Sequence, residues 1–564
     1  MIVSTNVYAA TVAGTTLDVR GGSITLDDSG APHVEATIDI STPAPAVLAL
    51  LDARTSPPPR VRVTAAQTVT GQQTRTRAFD LTLRGRTSAH RTTVMTLTLT
   101  SDEALVNDYA PLEDDGTAYR HMASLRAVVN YVLGKAIPGA RLENTPALDA
   151  DVSALENATN LSPNGGFRTN TSGWNPTNAT ASRIAGGPGV DGITHLARAT
   201  FAAGQGGGWF NQGGEQDGAT AVVVSSKRDY RTAIWVRSNV AVSLSLNVEW
   251  VNSSGAYIGA SMGLPVAIPA NTWTKLTADV TAPDGAARAG AYVYRAGGTW
   301  AAGNTLDIAG HRFSDRPESI YDLFQFFDGA TLDTPHHGYA WTGAAGGSPS
   351  TRLALTGRSA DMLLWEAGQG ALDFLAPIVQ VCGYRLVCDE QRRWTLRDED
   401  FTAPDSITIR HGVNLSDGSD KVSRDDDLWF DAAVTIYEWT DENNVRHRQI
   451  DAYALTSPYT RLRTFERGTP YPGPGFSAYA VRRAQGRGRE VTATAAADWR
   501  AQAEQTTSVV IDGAPIQTGR IARVTFDLDR DQMTITTRTT DTPDNAIVLL
   551  TGAIDQLVGT IDAL

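Results

Sequence analysis

Apolar and polar residues alternate along much of this chain. Over residues 33–40, Val34, Ala36, Ile38 and Ile40 interleave with Glu35, Thr37 and Asp39. That period of two is what a strand with one buried face requires. The same alternation marks 15–19, 23–28, 60–63, 77–84 and 93–100, with room for a short helix at 43–51. At 121–135 the period lengthens. Leu125, Val128, Val129, Val132 and Leu133 fall on one face of a helix that Gly134 and Pro138 help to end. A second helix fits 371–381, with a boundary or kink at Pro377, and leads into a hairpin of 385–388 and 393–397. Long alternating strands return over 428–540. Residues 433–439 pair with 446–453, a short helix occupies 496–504, and 521–528 with 532–538 form a final hairpin.

Between these flanks the composition changes. From 161 to 313 the chain turns to Gly, Asn, Ser, Thr and Ala, with tryptophans set in short strands at 222–224, 230–237, 242–250, 273–280, 289–294 and 305–308. Short strands at that spacing fit a jelly-roll sandwich inserted into another scaffold. The expected fold class is mainly β and multidomain: hub-like barrel or sandwich domains, small α+β parts and the insertion. The expected boundaries are a β domain at 1–118, the first part of an α+β segment at 119–157, the insertion at 158–316 and the continuing scaffold at 317–402. A C-terminal β domain follows at 403–542. The tail at 543–564 is expected to pack on the scaffold or on a neighbouring subunit.

Composition narrows the function less than the architecture does. The 564 residues are 41% hydrophobic and 19% charged, as in folded proteins. The net charge of -13 argues against nonspecific nucleic-acid binding. The densest basic run, Arg482, Arg483, Arg487 and Arg489, reads as a solvated loop or strand face. Cys382 and Cys388 read as free buried thiols, with no zinc site around them. No apolar run is long enough to span a membrane. The first residues lack a secretory leader pattern, which points to synthesis in a cytoplasm.

No metalloprotease, phosphate-loop, nucleophile-elbow or dinucleotide motif occurs, so the expectation is that the chain is not an enzyme. His336-His337 reads as a polar loop rather than a metal site, and Asp425-Asp426-Asp427 as a solvated turn. The aromatics of the insertion are the best ligand candidates, because flat rings stack on sugar rings. Trp209 and Phe210 follow three glycines, and Trp300 follows Gly297-Gly298-Thr299, settings that read as loops. Tyr292 and Tyr294 complete the candidate set, whereas Trp235 and Trp273 read as core.

Residues 161–313 resemble the jelly-roll carbohydrate-binding modules of polysaccharide-degrading enzymes. The resemblance rests on Asn160-Leu161 with Asn164 and Phe167, on Gly173-Trp174, on the strand from Tyr230 to Arg237, and on a closing strand ending Leu306-Asp307-Ile308. It implies a structural calcium, with Asp307 as a candidate ligand, and no other cofactor.

The other 400 or so residues resemble a minor tail protein, the tail-tip hub of a long-tailed actinobacteriophage. Phe327-Asp328-Gly329, Tyr339-Ala340-Trp341-Thr342-Gly343 and Gly383-Tyr384-Arg385-Leu386 carry that likeness. It implies a homo-oligomer, a trimer, at the virion tail tip. Its partners would be tail tube, distal tail and tape-measure proteins and host cell-wall glycan, with no sequence-specific nucleic-acid binding. The expected function is a structural hub whose inserted module contacts host glycan. The alternatives are a polysaccharide-degrading enzyme with an internal carbohydrate-binding module, and a spacer insertion that binds no sugar.

Overall fold

The computed structural model describes residues 4–539 apart from 71–72, 91–92, 203–204, 207–208, 213–221, 296, 317–321, 424–428, 442–443 and 513–515. For 205–206 and 209–212 it describes the backbone only. The expected tail at 543–564 and the Asp425-Asp426-Asp427 turn lie outside the described residues. The molecule is mainly β, with several sheets and a few short helices. It divides into two compact units, Met1–Val152 with Leu364–Leu564, and Ser153–Leu363.

The first unit is built on a 13-stranded sheet. The alternation read from the sequence becomes a buried face. In the Val34–Ser41 strand, Val34, Ala36, Ile38 and Ile40 are at most 3% exposed, while Glu35, Thr37 and Asp39 face outward. Val34, Ile38 and Ile40 each contribute about 1.5–3 kcal/mol when fully buried. The pattern at 1–118 and 403–542 reads as two β domains, but the two stretches share one sheet and one core. The Val19–Asp27 strand pairs antiparallel with Gln517–Asp527. Trp499 stacks on Phe526 at 4.2 Å and meets Tyr8 and Phe79 edge-on.

Trp499 also explains a correction. Of residues 496–504, expected as a helix, Ala496 ends a strand and 497–504 form an irregular segment with Ala497, Trp499, Ala501 and Ala503 buried and Asp498, Arg500 and Gln502 more exposed. The period there is two, not 3.6. The helix lies earlier, at Phe476–Gln485, between Gly475 and Gly486. It packs Val481 and Ala484 against Ala433 of a three-stranded sheet and against Phe430 just before that strand. The helices at Leu125–Ala136 and Ala371–Val381 stand where the sequence places them, the latter containing Pro377. Both cysteines are free; Cys388 is buried and Cys382 half-buried.

The second unit is a β-sandwich. One sheet runs Ala179–Ala185, His195–Phe201, Thr305–Asp315, Asp229–Ser238, Thr274–Thr281. The other runs Tyr257–Ser261, Val242–Val251, Arg288–Arg295, Trp209–Gln212, Trp174–Pro176, with two short strands added. Inward residues of both sheets, among them Ile234, Val236, Leu244, Leu246, Val293 and Ile308, form one core. Asn160 ties the entry of the unit to its later strands. Its Nδ2 donates to the carbonyls of His311 and Phe327, and its Oδ1 accepts from the N–H groups of Ser162 and Phe313. His311 lies between the hydroxyls of Ser162 and Thr232, and burial pushes its pKa down to about 3. The pattern assigns 317–402 to the scaffold, whereas Ser350–Ala354 pairs with both His337–Trp341 and Ala158–Asn160 inside this unit.

Candidate functional site

The Arg288–Arg295 strand divides its side chains by parity. Ala289, Ala291 and Val293 enter the core, and Tyr292 and Tyr294 stand half-buried on the outer face. On the neighbouring Val242–Val251 strand, Leu244, Leu246, Val248 and Trp250 are inward, leaving Ser243, Ser245, Asn247 and Glu249 on the outer side. The register then sets out two rows. Asn175, Asn211, Tyr292 and Asn247 stand opposite one another across four strands. Trp209, Tyr294 and Ser245 form the next row.

Asn247 is fully buried. Its Oδ1 accepts from the Gly263 N–H at 2.9 Å, and its side chain also interacts with the Tyr292 hydroxyl. The Tyr292 hydroxyl donates to Met262 Sδ at 3.3 Å, and burial raises the pKa of its phenol, so the ring is neutral at ordinary pH. Tyr257, about half exposed, stands opposite Val251 at the edge of the same sheet.

Of the sequence candidates, Tyr292 and Tyr294 therefore share one face. Trp209 occupies the register position across from Tyr294, and Phe210 the position across from the buried Val293. The side chains of Trp209 and Phe210 lie outside the described residues. Trp300 is corrected. It is fully buried and stacked on Phe201 at 4.3 Å, with the Arg295 guanidinium 4.6 Å from its ring centre, so no ring face is open to a sugar.

Asp307 is corrected as a calcium ligand. It is 2% exposed and held by two arginines, Arg198 at 2.6 and 2.9 Å and Arg237 at 2.7 and 3.0 Å. Two guanidinium charges occupy the place a cation would take. No group of three metal-ligating side chains occurs among the described residues. His337 Nε2 lies 2.9 Å from the Leu155 carbonyl oxygen. Trp235 and Trp273 are half-buried outside the inter-sheet core, beside Ile193, Leu196, Ala309 and Phe326.

The sequence reading missed the asparagines, although the parity of 242–250 already groups Asn247 with Ser245 and Glu249. It also misjudged the basic run. Arg483 and Arg489 are 8% and 3% exposed. Arg483, Arg487 and Arg538 converge on the buried carboxylate of Asp28. No described helix is long and apolar enough to cross a membrane.

No protein-family model matches the chain, and no curated protein matches it. Solved structures do show similarity. One is the enzymatically active domain of bacteriophage CBA120 tailspike protein 4, at 16% identity and TM-score 0.23, covering 28% of this chain and 21% of that one. Another is the paired CBM22-1 and GH10 modules of Clostridium thermocellum xylanase 10B, at 11% identity and TM-score 0.21, covering 29% of each chain. A third is the CBM22-1 xylan-binding domain of Paenibacillus barcinonensis Xyn10C, at 11% identity and TM-score 0.23, covering 30% of this chain and 100% of that one. The chain thus spans less than a third of the first two. The expectation that it is not an enzyme is withdrawn on these likenesses, since glycoside hydrolases stand among the structures it is similar to. At such TM-scores they transfer no site and no mechanism.

Proposed function

We propose that this is a polysaccharide-handling protein whose inserted unit holds a glycan chain across the outer face of its seven-stranded sheet. The observation that carries the reading is the pair Tyr292 and Tyr294, two residues apart on one strand and flanked by amides in register. Rings at that spacing stand about 6–7 Å apart along the strand. They offer apolar platforms to sugar rings, and the exposed Asn175 offers a donor and an acceptor to hydroxyls. The test is affinity electrophoresis of the whole protein through gels containing xylan, β-glucan or actinobacterial cell-wall polysaccharide. At least one should retard it, and Tyr292→Ala and Tyr294→Ala should each weaken the retardation about tenfold. Retardation unchanged in both variants removes the reading. Reducing-end release from the retarding polysaccharide, measured in parallel, separates a degrading chain from a holding one.

A second reading treats the first unit as the hub of a phage tail tip. It is favoured by one feature: segments on either side of the insertion join in a single 13-stranded sheet, so the glycan-facing unit is carried within a continuous frame. On this reading the protein assembles as a trimer with tail tube, distal tail and tape-measure proteins. Light scattering that finds a monomer at high concentration counts against it.

A further inference from the structure

The first unit contains a groove of about 840 Å³ unrelated to the tyrosine face, within the usual range of ligand sites, about 300–1,000 Å³. Its floor is one face of a four-strand patch whose register aligns polar residues. Ser406, Thr506, Arg520 and Arg538 stand opposite one another in one row. Thr408, Ser508 and Thr518 form the adjacent row. Arg482 and Gln485, from the last turn of the Phe476–Gln485 helix, make one wall, and Glu399 and Asp400 another.

Two adjacent arginines on a sheet repel each other unless anions separate them. Here the compensation is incomplete. Arg538 is 5% exposed. Its Nε meets Asp28 at 3.2 Å and its Nη1 meets Glu399 at 2.9 Å, but its Nη2 has no hydrogen-bond partner among the described residues. Arg520 spends Nη1 on the backbone carbonyls of Glu399 and Phe401, which supply no charge. The Glu399 carboxylate is already engaged by Arg538 and, at 3.6 Å, by Arg483. The groove therefore carries a guanidinium nitrogen, Arg538 Nη2, with no hydrogen-bond partner among the described residues, beside two rows of hydroxyls, in a chain whose net charge is -13. Among the described residues no aromatic side chain lines it, so they supply no stacking platform of the kind that single-stranded nucleic acid and neutral sugars use. Hydroxyls at strand spacing suit a hydroxylated chain with a carboxylate on its rings.

We propose that this groove binds an acidic oligosaccharide of the uronate class, its carboxylate received by Arg538 and Arg520 and its hydroxyls by the Ser and Thr rows. The experiment is calorimetry on the whole protein carrying Tyr292→Ala and Tyr294→Ala, which removes the sugar face of the other unit from the readout. A short oligogalacturonate is the probe, with a neutral xylo-oligosaccharide and a single-stranded oligonucleotide of similar length as comparisons. Oligogalacturonate should bind and the neutral chain should not. Arg482→Glu and Thr506→Trp alter exposed positions and spare the Asp28 cluster. Each should weaken binding about tenfold, Arg482→Glu by setting a carboxylate on the groove wall and Thr506→Trp by filling its floor. The proposal is overturned if oligogalacturonate does not bind, if the neutral chain binds equally, or if neither variant changes the affinity. It is overturned as well if the oligonucleotide binds more tightly and loses its affinity in the same variants. Because the two sites lie in different units and are removed by different substitutions, failure of one leaves the other standing.

Discussion

Glu103 should make the stability of the first unit fall as the pH rises toward neutrality. It opens the short Glu103–Asp108 helix and is 1% exposed, with the Cys388 N–H donating to its Oε1 at 2.6 Å. Burial dominates the hydrogen bonds it receives and pushes its carboxyl up to about 7 from an ordinary 4.5. A raised carboxyl means that the folded protein binds a proton more tightly than the unfolded chain. Stability is therefore highest below about 4.5, declines as the pH climbs through the interval to about 7, and is flat above it with respect to this group. That interval, at about 1.4 kcal/mol per pH unit, amounts to roughly 3 kcal/mol. Glu103→Gln keeps the shape and the acceptor for Cys388 while removing the ionisation. The variant should match the parent near pH 5 and exceed it by about 2–3 kcal/mol near pH 8. Urea unfolding followed by tryptophan fluorescence across that range reads the difference, since Trp499 reports on the core of this unit. Parallel stability–pH curves for parent and variant would falsify the assignment of a buried, proton-holding carboxyl.

Other consequences follow from the ion pairs and the core. Asp307→Asn leaves Arg198 and Arg237 without their common carboxylate, and a loss of about 3–5 kcal/mol is expected, read as a fall in Tm that added calcium does not restore. Glu504→Gln removes the carboxylate that Arg385 and Arg397 share. Burial alone would raise the pKa of Glu504, but the two guanidiniums hold it lower, so the substitution should cost a similar amount at neutral pH. Trp300→Ala should cost about 3–5 kcal/mol by leaving a cavity beside Phe201. Tyr294→Ala should barely move the Tm while weakening polysaccharide retardation, and the reverse pattern would place Tyr294 in the core rather than on the site.

The tyrosine face was partly legible before folding. Parity along 288–295 separates Tyr292 and Tyr294 from Ala289, Ala291 and Val293, and parity along 242–250 does the same for Asn247. Which strands are neighbours was not legible, because pairing across the sheet depends on contacts far apart in the chain. Glycine-rich surroundings suggested that Trp300 was a loop residue. They signal only backbone freedom, and the sandwich closes over this ring. The charged residues were least legible. Asp28 and Arg538 are more than 500 positions apart, and only the completed sheet brings them together.

The sequence by itself determined the local periods and hence most strands, the helices at Pro45–Leu50, Leu125–Ala136 and Ala371–Val381, and the compositional break of the insertion. These are set by which side chains can be buried within a few residues of one another. The tertiary structure decided the rest. It merged the two flanks into one sheet, gave 153–363 to a single unit, turned a seemingly solvated arginine run into a buried cluster, and put two arginines side by side in a polar groove. Such outcomes depend on long-range register and on the balance between desolvation and pairing of charges, neither of which a local pattern carries.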